Sequence, residues 1–239
     1  MPRIGDNPQF APLTVVSMAT TGFLRCEISE ARYQVYVPPN YVDSLRWPVI
    51  LFLHGAGERG SDGLQQTKVG IGHVLQQVKQ FPFLVVLPQC PNGASWDGGV
   101  LDRAVQALDA VMDEFSTDRR KIYATGISMG GAGVLQLALT FPSRFATYVP
   151  VCGFVNSREP GAYDQIAAAI GSVPTWLFHG ADDDIVPVSE SRNVYNALLR
   201  AGANVRYTEY PGVRHNCWNQ AYTEPGFVRG CCLIDYESA

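Results

Sequence analysis

The chain has 239 residues, 46% of them hydrophobic, enough to bury the core of one large α/β domain, and it is neither disordered nor fibrous in composition. A net charge of −4, a charged share of 17% and the lack of any basic block leave no electrostatic footprint for nucleic acid. No apolar run approaches the ~20 residues of a membrane helix, and "MPRIGDNPQF" lacks the charged head and apolar stretch of a secretory signal, so a cytoplasmic protein is expected; a signal already removed would leave no trace.

In chain order, "TVVSMATTGFLRCEIS" and "RYQVYVPP" carry the β-branched and aromatic residues of strands. Residues 1–20 form an extension or edge strand in this reading. "WPVILFLHG" is a continuous apolar run ending at a Gly-rich loop, which predicts a strand buried on both faces. A helical stretch near 64–80 leads to the strand "FLVVLP". "LDRAVQALDAVMDEF" sets Leu101, Val105, Leu108, Met112 and Phe115 at helical spacing. "RKIYATG" reads as a short strand, followed by a small-residue helix from Met129 to about Leu139. "FATYVPVCG" and "VPTWLFHG" are further strands, joined by a modest connection. "ESRNVYNALLRAG" is a helix with Gly202 at its end, and "ANVRYTEYPG" is the last strand. Strands alternating with helices predict one domain over 1–239, built on a mainly parallel sheet with helices on both faces. Sites in such sheets lie at the carboxyl ends of the strands, here after His54, Thr125, His179 and Tyr210.

The six cysteines (Cys26, Cys90, Cys152, Cys217, Cys231 and Cys232) show neither CxxC pairs nor zinc-like spacing. A chain this long needs no staples, so buried, reduced thiols are expected, with one bridge involving Cys90 and Cys152 as the alternative.

Gly126-Ile127-Ser128-Met129-Gly130 matches G-x-S-x-G between a predicted strand and a predicted helix. On so sharp an elbow a serine exposes its Oγ, and the flanking glycines remove clashes. The Met129 N–H beside it can meet developing negative charge. A hydroxyl nucleophile needs a general base. His54 and His179 end strands and read as structural, and His73 lies in a helical stretch. His215, in "PGVRHNCW" after the last strand, follows the serine and leaves room for an acid loop between them. "HGADDDIVPV" offers Asp182, Asp183 and Asp184 as the acid that orients the imidazole. Consecutive side chains do not converge easily on one ion, so a metal is not expected there.

Together these pieces resemble the α/β-hydrolase superfamily and, more narrowly, its phospholipase/carboxylesterase-like group, often labelled predicted peptidases. The resemblance rests on "LFLHGAGERGSD", "LPQCPNGASW", "IYATGISMGGAG", "HGADDDIVPVSES" and "YTEYPGVRHNCW", in that order, over roughly residues 32–222. It implies an α/β-hydrolase fold and selects Asp183 from the acidic run, giving a triad of Ser128, Asp183 and His215. It also implies an oxyanion hole of the Ala56 and Met129 N–H groups, and a serine carboxylesterase acting on short acyl or aryl esters without a cofactor. One departure is the end "GFVRGCCLIDYESA", where the group usually closes with an apolar helix.

About twenty residues after Cys152 are too few for a large lid domain, so an open cleft is expected. Trp96, Trp218 and Glu58 are candidates to contact substrate; the alternatives are core positions for the indoles and a Glu58–Arg59 ion pair. The competing functions are a serine peptidase on the same triad and a non-catalytic binding protein. The expected partner is a small ester, not nucleic acid and not a membrane.

Overall fold

The computed structural model describes residues 21–28, 31–157 and 159–227. Strands β1 (Gly22–Ile28) and β2 (Ala31–Val37) pair antiparallel, and β2 runs antiparallel to β4 (Leu84–Pro88). The remaining pairs are parallel: β3 (Trp47–Leu53) lies between β4 and β5 (Thr117–Ile127), and β6 (Thr147–Val151), β7 (Thr175–Gly180) and β8 (Val205–Tyr210) follow outward. The eight-stranded order is β1-β2-β4-β3-β5-β6-β7-β8. The mainly parallel sheet expected from the alternating pattern is therefore present. The antiparallel start fits the two β-rich segments that precede the alternation.

The continuous apolar run in β3 is explained by its two-sided burial. Val49, Leu51 and Leu53 point into one core, whereas Ile50 and Phe52 point into the other. The first core is closed by α2 (Gly98–Glu114), α3 (Met129–Thr140), α4 (Ala162–Ile170) and α5 (Ser189–Arg200). The second is closed by α1 (Gly70–Leu75) and α6 (Trp218–Ala221), with Phe81 and Phe83 beneath them. Helices thus cover both faces.

Two elements differ from the sequence reading. The helix expected near 64–80 is only α1, preceded by a 3-10 turn at Gln65–Thr67. Residues 76–80 are exposed, and a short helix with no apolar face to bury there does not persist. Conversely, α4 occupies what reads as a plain connection; Ala162, Ile166, Ala167 and Ile170 form its buried stripe. The proposed edge strand over 1–20 and the closing segment from residue 228 lie outside the described residues. Among the described residues, no helix is long and apolar enough to cross a membrane.

Candidate active site

The site starts from a register. Leu53 pairs with Gly126, so the loops that leave β3 and β5 emerge side by side at the carboxyl edge of the sheet. Between β5 and α3 the chain turns on Ser128, whose φ of 52° and ψ of −117° lie where non-glycine residues rarely go. The turn is held by the Ser128 N–H, which donates to the Val151 carbonyl at 2.9 Å. Glycine is obligatory on both sides. A Cβ at Gly126 would strike the Gly130 carbonyl, and one at Gly130 would overlap the Leu53 carbonyl of the neighbouring strand.

His215 arrives on the loop after β8. Its Nε2 lies 2.9 Å from Ser128 Oγ and its Nδ1 lies 2.7 Å from Asp183 Oδ2. With Nδ1–H donating to the carboxylate, Nε2 is left to accept the serine proton, a tautomer inferred from the network. The Asp183 side chain is fully buried, whereas His215 is 18% exposed. Burial pushes the Asp183 carboxyl up, but the His215 ring and the Ile185 and Val186 N–H groups outweigh it and hold the group below its usual range. Both backbone donors reach Oδ1 at 2.9 Å.

The other two acids have different surroundings. The Asp182 N–H donates to the Val213 carbonyl, and the Asp184 carboxylate pairs with Arg214 at the surface. His179 is buried beneath the loop: its ring bonds Ser191 Oγ at 2.7 Å and the Val186 carbonyl at 3.0 Å, and meets Asp183 Oδ2 at 3.1 Å. Burial lowers its pKa, so it is a neutral strut.

Ala56 and Met129 are each the first residue of a helical turn, where the N–H has no intrahelical acceptor. Their loops are the two that the Leu53–Gly126 register brings together. His54 braces this corner. Its Nδ1 lies 2.6 Å from the Gly55 carbonyl, and its Nε2 accepts the Cys90 N–H at 2.9 Å. Burial lowers its pKa to about 4.

Three expectations about the cleft are corrected or sharpened. Trp96 is 2% exposed and cannot line an open cleft; its indole N–H donates to the His54 carbonyl at 2.9 Å, and its ring packs edge-on against His54. Glu58 turns back on its own loop, where its half-buried carboxylate lies against Gly55, and burial raises its pKa. Nor does it pair with Arg59, whose guanidinium lies 2.8 Å from Met129 Sδ. Trp218 stands edge-on to His215, 5.4 Å between ring centres, and is half-buried. Cys90 and Cys152, weighed as a bridge, are both free thiols.

Sequence reasoning missed Gln89, which ties the first loop down. Its Oε1 accepts the Gly63 N–H at 2.6 Å, and its Nε2 donates to the Glu58 carbonyl and to Asp62. The available signal was a glutamine placed directly after an apolar strand and facing a Gly-rich loop.

Comparison with known proteins gives a consistent picture. A family model described as phospholipase/carboxylesterase matches residues 101–224. The carboxylesterase SOBER1 of Arabidopsis thaliana is 26% identical over 194 residues, covering 72% of this chain and 84% of that protein. A thermostable esterase of known structure superposes with a TM-score of 0.74 at 29% identity, covering 88% of this chain and 61% of that one. An uncharacterized secreted protein of Arthroderma benhamiae is 25% identical over 90% of this chain, and the chain spans only 25% of its length.

Proposed function

The chain belongs to the phospholipase/carboxylesterase family of α/β-hydrolases, and from that premise we propose that it hydrolyses carboxylic esters of short acyl groups or aryl alcohols through an acyl-enzyme on Ser128. The observation that carries this reading is the line Ser128 Oγ–His215–Asp183, with separations of 2.9 and 2.7 Å. His215 Nε2 takes the serine proton as Oγ attacks the ester carbonyl. The tetrahedral oxyanion is received by the Ala56 and Met129 N–H groups. The imidazolium, steadied by Asp183, passes its proton to the departing alcohol. Water, activated by the same imidazole, then releases the acid. Trp218 beside His215 supports a wall for the leaving group, in keeping with aryl esters.

The same triad suits amide cleavage only if an extended peptide is bound and a poor leaving group is protonated; the likeness to a carboxylesterase and to a thermostable esterase favours the ester. Free thiols at Cys26, Cys90, Cys152 and Cys217 support a reducing, cytoplasmic setting. The test is turnover of p-nitrophenyl acetate against a peptide anilide. Ser128→Ala is expected to fold and to lose ester turnover by up to ~10⁶-fold. Undiminished turnover by folded Ser128→Ala would sink the assignment.

A further inference from the structure

Against the imidazole–carboxylate pair lies a thiol that ester hydrolysis leaves without a task. Cys152 follows β6 at a φ of 41°, fully buried, with its N–H donating to the Phe178 carbonyl at 2.8 Å. Cys217 is equally buried and precedes α6, two residues past His215. One ligand atom each from Cys152, Asp183 and His215 lie within 4.8 Å of one another. Three atoms that close share a centre at most about 2.8 Å from each, so zinc bonds of ~2.0–2.3 Å are reached by small side-chain shifts. A sulfur, an imidazole and a carboxylate form a three-donor set that leaves the fourth position of a tetrahedral, thiophilic cation to water.

We propose that Cys152, Asp183 and His215 form an inhibitory site for a thiophilic divalent cation, for which zinc is the probe. On capture the Cys152 S–H bond breaks and its proton passes to water, the sulfur lone pair binds the cation, and the imidazole binds through its unprotonated nitrogen, any proton on the nitrogen facing the cation moving to the other through water; no electron changes hands. The imidazole and carboxylate are then held by the metal and cannot serve the serine. Binding itself does not depend on the esterase reading, and only the consequence, inhibition, rests on it. His215, the partly exposed member, is the way in.

Equilibrium dialysis of Ser128→Ala protein against zinc chloride, without substrate, is expected to give one tight equivalent. Cys152→Ala is expected to weaken it at least about tenfold, whereas Cys217→Ser, at a buried thiol outside the group, should leave it near the parent value. In active protein, zinc should lower p-nitrophenyl acetate turnover with the same midpoint, and excess EDTA should restore it. Cadmium, added to the unmutated chain, should produce ultraviolet sulfur-to-metal charge-transfer absorption, which keeps the test open if either variant fails to fold. No tight equivalent, unchanged affinity in Cys152→Ala, or no charge-transfer band overturns the site. Tight zinc binding in a chain that never turns over esters supports the site and sinks only the esterase reading.

Discussion

Three consecutive aspartates follow β7, and their different surroundings make the sharpest test at the level of single residues. Asp183 alone meets His215, so Asp183→Asn is expected to lower kcat/KM by about 10⁴-fold, while Asp182→Asn and Asp184→Asn stay close to the parent. Measuring all three with one aryl ester decides it; a severe loss at 182 or 184 and none at 183 would mean a different carboxylate serves the histidine. The choice of Asp183 was readable only through the family pattern. Local spacing offers three equal acids, and the loop turn that gives Asp183 Oδ1 two backbone donors is not written in residue types. Ser128 and His215 were legible because their order and flanking strands allow few alternatives. Trp96 was not, since an indole in a Gly- and Ser-rich turn reads alike whether it faces solvent or, as here, props a carbonyl at the end of β3.

At the level of elements, the β5–α3 elbow is the part least able to accommodate change. Its glycines face backbone, not flexible side chains, so a methyl group has nowhere to go. Gly130→Ala is expected to cost 3 kcal/mol or more (roughly, as overpacking against backbone exceeds the usual ~1–3). Urea unfolding measures it, and a change within about 0.5 kcal/mol would show that β3 and α3 can part more easily than their contact implies. The strands and long helices were legible because burial on two faces or one stripe leaves a period in the sequence. Helix α4 was hidden because alanine is apolar yet small, so "DQIAAAI" shows no strong stripe until the sheet supplies one. The helix at 64–80 was over-read for the opposite reason: Gln76, Gln77 and Gln80 favour helix, but they stay exposed with no apolar face to bury.

Across the whole molecule, the sequence pattern announced a parallel sheet but not its strand order, which is set by how the crossovers pack and not by any one segment. Its buried histidines also give the fold a pH dependence. His54 is neutral in the fold, with a pKa of about 4 against an ordinary 6.5. Above pH 6.5 neither folded nor unfolded chain is protonated there, and the full stability is present. As pH falls toward 4 only the unfolded chain gains the proton, so stability is lost, by about 3 kcal/mol in all, and the loss levels off below pH 4. Urea midpoints at pH 7.5, 6, 5 and 4.5 should fall steadily over that range; a flat series would show that His54 takes a proton inside the fold. One further consequence comes from β8. Among the described residues it is bonded to the sheet on one side only, and its residues are exposed or half-buried, yet it carries the loop bearing His215. An open margin of the described sheet therefore holds one of the three groups that must meet, and local opening of one strand is enough to separate them. Turnover then reports on the fraying of a single edge and fails on warming before the core melts.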